Sequence, residues 1–276
     1  MTNKMTTTFN FATARTAEIS PAGDDIASSP GHQVLAAAGK KILRPGGKAA
    51  TEQLFTWANF QPGETVLELA ASFGESAIQM AQRFDVRVVG VEKNPDSVAK
   101  ARKNIKAAGL EDRITIIEGD IFELDKITDK FDYVLAEAIL TMQADVGKAK
   151  ILSGVKHCLK PRGKFLSHEM IVRDNAEQVR KSLSQTIRVN ANPLTILEWS
   201  TVCKNAGLTI QQQQTGKMGL LNLNQMIKDE GILGTVKIIW NVLTKPNLRS
   251  RILQMRRNFQ QQRNYIGYIV FMSSIT

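Results

Sequence analysis

The sequence predicts an α/β fold: a seven-stranded, mostly parallel sheet with helices on both faces and a helical insertion before the last strand. Three observations predict it. From Gly63 onward, short runs rich in β-branched residues alternate with longer helical stretches, as parallel strands joined by crossover helices do. The first of these junctions, Val66-Leu67-Glu68-Leu69-Ala70-Ala71-Ser72-Phe73-Gly74-Glu75-Ser76, reads as a strand, a turn of small residues and a helix start. The chain has 276 residues, 43% of them hydrophobic, enough for one large domain with its own core.

Taken in order, residues 1–32 are rich in Thr, Ala, Ser and Pro without a sustained apolar period, and are expected to form a flexible arm ahead of a domain over 33–276. From Gln33 to Phe60 the pattern is helical, broken at Arg44-Pro45-Gly46-Gly47 into two pieces joined by a short basic loop. Five strands precede Ile171: Thr65–Leu69, Arg87–Val91, Ile114–Glu118, Tyr133–Ala136 and Lys164–His168. Helices are expected at Ser76–Arg83, Asp96–Ala108 and Asp145–Leu159, with a short turn near Phe122–Lys126; the third helix stops at Lys160-Pro161-Arg162-Gly163. Two more helices, Ala176–Val189 and Thr195–Ala206, lead to strands at Leu208–Gln212 and Tyr265–Met272, which should close the sheet as an antiparallel edge. The roughly fifty residues between these strands are far longer than an ordinary connection. Within them Leu233, Val236, Trp240 and Leu243 recur at helical spacing, as do Leu248, Ile252, Met255 and Phe259, so about 216–262 is expected to be a helical lid.

Composition narrows the class. Lys and Arg number 36 against 26 Asp and Glu, a net charge of +10, which favours anionic partners without naming them. Cys158 and Cys203 stand in no CxxC or Cys/His cluster, which excludes a disulfide scaffold and a zinc finger and fits a reducing compartment. Residues 1–30 lack the apolar core of a secretion signal and carry Glu18, Asp24 and Asp25, so no export is expected and the protein is placed in the cytoplasm.

The residues with chemistry lie at strand ends. Small residues in the first turn let a ligand approach the backbone, and the following helix start offers free amides. A plain β-turn-α corner would look the same, and GxGxxG is missing, since Ala70, Ser72 and Gly74 occupy the alternate positions. Val88-Val89-Gly90-Val91-Glu92 ends in an acid about twenty residues after the turn, followed by Lys93. An acid there can accept hydrogen bonds from both hydroxyls of a ribose. Glu118-Gly119-Asp120-Ile121 ends the third strand with a carboxylate beside an apolar residue, a pair able to bond an adenine amino group and cover its ring.

In this order the pieces resemble the class I S-adenosylmethionine-dependent methyltransferases, a Rossmann-like family, over roughly Gly63 to Ile171. The resemblance implies S-adenosyl-L-methionine as cofactor. It places the methionine part on Glu68, Ala70, Ser72 and Gly74, the ribose on Glu92 with Lys93 beside it, and adenine on Asp120 and Ile121. The fourth-strand motif of the family falls on Phe131-Asp132-Tyr133-Val134-Leu135-Ala136-Glu137-Ala138, with Glu137 near the cofactor amino group or the substrate. Ala70 and Ser72 replace glycines of the family pattern and narrow the space above the turn. Arg44, in the loop upstream, is a candidate partner for the cofactor carboxylate, the alternative being a solvated basic helix end.

If the acceptor is a hydroxyl or thiol, a base must take its proton. Candidates are His168 and Glu169 at the end of strand five, Glu137, and His32, with His168 best matched by pKa. The alternative for His168 is a strand-end histidine facing solvent or bonded to backbone. His157, late in a helix, suits the helix dipole instead.

Between Lys217 and Arg263 nine Lys or Arg stand against Asp229 and Glu230 alone, so the insertion holds most of the excess charge. The expected function is methyl transfer to a small, partly apolar molecule, with the stripes of the insertion covering the acceptor pocket and its cations at the rim. Alternatives are an RNA methyltransferase using the insertion as a clamp, and a cofactor-binding module without catalysis. A membrane-surface contact through the basic insertion also stays open. No DNA partner is expected: the chain has neither an Asn/Asp-Pro-Pro-Tyr/Phe motif nor a Pro-Cys nucleophile.

Overall fold

A computed structural model describes residues 26–276. Most of the arm expected over 1–32 lies outside them. The described part begins in a turn that enters α1 (Gly31–Ala38), slightly before the expected boundary, followed by α2 (Gly47–Ala58). Then come β1 (Thr65–Leu69), α3 (Glu75–Phe84), β2 (Arg87–Glu92), α4 (Pro95–Ala107), β3 (Ile114–Glu118), β4 (Phe131–Glu137), α5 (Asp145–Cys158) and β5 (Leu159–Val172). The remainder is α6 (Ala176–Ile187), α7 (Ile196–Asn205), β6 (Leu208–Lys217), α8 (Leu223–Thr244), α9 (Pro246–Gln261) and β7 (Ile266–Ile275).

The seven strands form one sheet in the order β3-β2-β1-β4-β5-β7-β6. The first five pair in parallel, and β7 pairs antiparallel with both β5 and β6. Only β7 therefore reverses direction, whereas the sequence suggested an antiparallel edge of two strands. Strand β5 is much longer than expected at both ends: it starts at Leu159, where the sequence suggested a helix end and a turn, because Leu159 pairs with Phe131 of β4, and its extension to Val172 pairs with β7 as far as Ile266, a partner more than ninety residues away in the chain.

Strand alternation divides the core. Val66, Tyr133, Leu135 and Leu166 point to the face covered by α2, α3 and α4, with Leu54, Met80 and Ala101. Leu67, Leu69, Val134 and Phe165 point to the other face, under α5 and α7, with Ile151, Val155 and Trp199. A third cluster joins α1, α6, α8 and α9 through Val34, Leu183, Ile238, Leu248 and Met255. By the same parity Glu68, Glu137 and His168 share the α2 face at the C-terminal strand ends, and Glu169 points to the opposite face.

The insertion is helical as expected, but the two stripes behave differently. In α9, Leu248, Ile252 and Met255 are buried. In α8, Leu233, Val236, Trp240 and Leu243 are exposed instead of turned onto the site. Two features turn this stripe outward. The helix breaks at Gly231 (φ 74°, ψ 172°), a conformation costly for any residue with a Cβ, and the part beyond the break packs on α1 through Ile238 and the Asn241 side chain instead.

At the sheet centre Gly90 lets β2 approach the turn after β1: a Cβ on it would lie 2.7 Å from Ala71 Cβ and 2.6 Å from Ile116 Cδ1. Gly90→Ala is expected to lower stability by about 1–3 kcal/mol through this overpacking, read as a lower denaturant midpoint. An unchanged midpoint would mean that the turn is free to move away from β2.

Candidate active site

The turn between β1 and α3 keeps a glycine-type backbone without the glycines. Ala70 (φ 53°), Ser72 (φ 49°) and Gly74 (φ 77°) all lie in the left-handed region, which costs a residue with a side chain about 1–2 kcal/mol. Such strain persists where the surroundings enforce it. For Ser72 the partner is Glu92, at the end of β2: its Oε2 accepts the Ser72 N–H at 2.8 Å, and its Oε1 accepts the Asn94 N–H at 2.9 Å. Beyond β3, Asp120 Oδ1 accepts the Phe122 N–H at 3.0 Å and Oδ2 lies 3.0 Å from Lys93 Nζ. Burial alone would raise the Asp120 carboxyl, but the Phe122 N–H and Lys93 outweigh it and hold it below the usual range. Ile121 follows, half-buried, at the start of a 3-10 turn.

The second half of the site is enclosed. Glu137 ends β4, opposite His168 of β5 in register. Its Oε1 accepts the Thr51 hydroxyl at 2.5 Å, and its Oε2 makes an ion contact of 3.0 Å with Arg44 Nη1 outside hydrogen-bond alignment. Arg44 also donates to Thr51 Oγ1 at 3.0 Å and to Ser76 Oγ. His168 Nε2 accepts the Gly46 N–H at 3.0 Å, so Nδ1 carries the proton and faces Glu137 Oε1 at 3.3 Å. Burial holds the His168 pKa below its ordinary value despite Glu137, and this imidazole is neutral at pH 7. Burial would raise Glu137, but Arg44 and then His168 outweigh it, and the carboxylate stays ionised.

Glu68, two residues before the strained turn, has the opposite character. Burial pushes its carboxyl up to about 8, with Arg44 pulling down and Glu137 pushing up. Its buried Oε2 has no hydrogen-bond partner among the described residues. The loop carrying Arg44 and Gly46 is held from above by the first part of α8. Glu230 accepts the Lys41 and Ile42 amides (3.1 and 3.0 Å), Asp229 accepts the Lys48 amide (2.9 Å), and buried Lys40 lies 3.4 Å from Glu230.

The structure thus brings Arg44, Glu68, Glu137 and His168 together, with Ala70, Ser72, Gly74 and Glu92 beside them and Lys93, Asp120 and Ile121 along the same strand ends. Two base candidates, Glu169 and His32, lie elsewhere or are committed. Glu169, on the opposite face, spends both oxygens on the Ile139, Leu140 and Thr141 amides and the Thr141 hydroxyl. His32 is exposed on α1 and His157 is exposed late in α5. A cleft of about 400 Å³ lined by Glu64, Tyr133 and Lys160 opens at the other end of the sheet and contains none of the site residues. Thr51 and Ser76 were not foreseen as partners; a hydroxyl on a helix has no sequence signal until the strand end it meets is known.

A family model described as a methyltransferase domain matches residues 60–225. The chain belongs to the class I S-adenosylmethionine-dependent methyltransferases. An uncharacterised protein of Haemophilus influenzae is 34% identical over 88% of this chain and 97% of its own length. An S-adenosyl-L-methionine-dependent Diels-Alderase of Talaromyces variabilis is 27% identical over 79% of this chain and 75% of its own. Among solved structures, a methyltransferase from Geobacter sulfurreducens bound to S-adenosyl-L-homocysteine is similar in fold, with a TM-score of 0.66 at 17% identity, covering 88% of this chain and 98% of that one. This methyltransferase uses S-adenosylmethionine as cofactor, and its residues fit that group. The left-handed turn exposes backbone, a carboxylate stands at the end of β2, and the unpartnered Glu68 oxygen can receive a cationic group.

Two expectations follow. Ala70→Gly should raise stability by about 0.5–1 kcal/mol, the left-handed cost relieved less the added freedom of the unfolded chain; a lower thermal midpoint would show that the Ala70 methyl packs usefully. Glu68, with a folded pKa of about 8 against an ordinary 4.5, holds a proton in the folded state that the unfolded chain releases between these values. Its contribution is therefore complete below about pH 4.5 and lost as pH rises through about 8. The thermal midpoint of Glu68→Gln relative to wild type should rise from pH 5 to pH 9, and a pH-independent difference would mean Glu68 is ionised throughout.

Proposed function

We propose that this methyltransferase transfers a methyl group to a small, partly apolar molecule, and that its residues act by positioning more than by acid-base chemistry. The observation that carries this reading is the enclosure of the reaction end: Glu68, Glu137 and His168 are each less than a tenth exposed, under a loop pinned by α8. A covered site suits a small acceptor. The Talaromyces relative, named as a Diels-Alderase, supports a small organic substrate for this chain as well.

When bound, S-adenosylmethionine supplies an electrophilic methyl group on a sulfonium. Glu92 accepts hydrogen bonds from the ribose hydroxyls, and Asp120 and Ile121 hold the adenine, with Lys93 keeping Asp120 ionised. Glu68 and the turn through Ala70, Ser72 and Gly74 receive the methionine part, and Arg44 pairs with its carboxylate. His168, with both ring nitrogens engaged, is a positioning residue: it orients Glu137 and anchors Gly46. Glu137, ionised beside Arg44, lines the acceptor side. His168, the candidate best matched to a hydroxyl proton, has its one lone pair taken by the Gly46 N–H, which favours an acceptor that is already nucleophilic, served by alignment and exclusion of water.

Glu92→Ala should weaken binding of S-adenosylhomocysteine in calorimetry by about ten- to a hundredfold, from lost hydrogen bonds to a charged group. Unchanged affinity in a folded variant would remove Glu92 from the site. The acceptor class is tested by incubating the enzyme and radiolabelled S-adenosylmethionine with a cell lysate. Label in the small-molecule extract supports the reading, and label confined to RNA replaces it with the clamp reading.

A further inference from the structure

We infer that the part of α8 beyond Gly231 docks this protein on an anionic lipid surface. Ile232, Leu233, Val236, Ile239, Trp240 and Leu243 are each 41 to 87% exposed. At 100° per residue they fall within about 120° of the helix circumference, one continuous apolar face. The helix is not free to turn this face inward. Thr235 and Ile238 are buried on the other side, and Asn241 Nδ2 donates to Ala38 O at 3.0 Å.

Charge selects the occupant. Residues 231–276 contain no Asp or Glu. Lys237 borders the apolar face, and Lys245, Arg249, Arg256, Arg257 and Arg263 follow it, all exposed. Among the described residues none of these six cations has a carboxylate within 4.0 Å. Arg251 of the same segment is different: it is buried and donates to the Ser29 and Thr186 carbonyls. A second copy of the chain meeting this face would bring two sets of unpaired cations together, which opposes association. An anionic lipid surface neutralises the cations and accepts the apolar face at once, and a Trp at the border between apolar and charged groups suits the headgroup level. No helix among the described residues is long and apolar enough to cross a membrane, so the helix lies on the surface. The inference does not depend on what the acceptor is.

The test uses the full chain and vesicles of phosphatidylcholine alone or mixed equally with phosphatidylglycerol. The protein should sediment with the mixed vesicles and much less with phosphatidylcholine alone, and binding should fall as salt is added. Trp emission should shift to the blue on binding. Trp199 is already buried and Trp57 partly so, so the change reports chiefly on Trp240. Leu233→Gln combined with Trp240→Gln should reduce vesicle binding about tenfold or more, with the thermal midpoint and S-adenosylhomocysteine affinity unchanged, since both side chains are on the surface. Trp240→Phe should keep binding and lose most of the shift. The inference is overturned if wild type ignores the mixed vesicles at low salt, if the double variant binds them like wild type, or if sedimentation shows a dimer that Leu233→Gln dissociates. Loss of cofactor binding in wild type would instead sink the methyltransferase site and leave the docking face untouched.

Discussion

A carboxylate buried at the end of a central strand cannot be left without partners, because an ion removed from water and unpaired costs more than most single interactions in a fold contribute. Glu137 is in this position, and its partners come from three separate elements: Arg44 from the loop before α2, Thr51 from α2, and His168 from β5. Satisfying one charge therefore draws the loop and α2 over the strand ends. His168 extends the requirement, since its buried Nε2 needs a donor and takes the Gly46 amide. The loop, with its own amides turned upward, is then held by Asp229 and Glu230. A continuous set of polar contacts thus runs from the sheet to the first part of α8.

The same arrangement sets two neighbouring carboxyls to opposite states. Glu68 and Glu137 stand at the ends of adjacent strands on one face, yet burial keeps Glu68 protonated near neutrality while Arg44 keeps Glu137 ionised. One guanidinium cannot fully offset two buried carboxylates, so the proton stays on Glu68, while Glu137 has the ion contact with Arg44 and the Thr51 and His168 partners as well. An arriving cationic group would change that balance at Glu68 first. The adenosine side has no comparable constraint: Glu92 and Asp120 are partly open to water and bond mainly to backbone amides.

The break at Gly231 separates two surfaces of α8 with different chemistry. Before it, acids bind the loop over the site; after it, an apolar face and a run of cations meet the solvent. One helix that continued straight would have to present both on the same axis. The left-handed residue decouples them, so the surface face is set by contact with α1 and not by the loop.

The strands, their order along the chain, the crossover helices and the cofactor turn were legible in the sequence, because alternation, helical periodicity and small-residue turns are carried by residues near one another. The motif acids Glu92 and Asp120 were legible for the same reason, each standing at a strand end set by its own strand. That Ala70 and Ser72 adopt a glycine's backbone was not, since only Glu92, twenty residues on, holds Ser72 there. The commitment of both His168 nitrogens rests on Gly46, 122 residues away, and the hold on the Arg44 loop rests on Glu230, 189 residues from Lys41. The helical spacing of Leu233, Val236, Trp240 and Leu243 established that they share a face; which way it points was decided only when Ile238 and Asn241 packed on α1. Periodicity is local and gives faces, whereas orientation, protonation and partnership depend on groups that only the folded chain brings within a few ångströms.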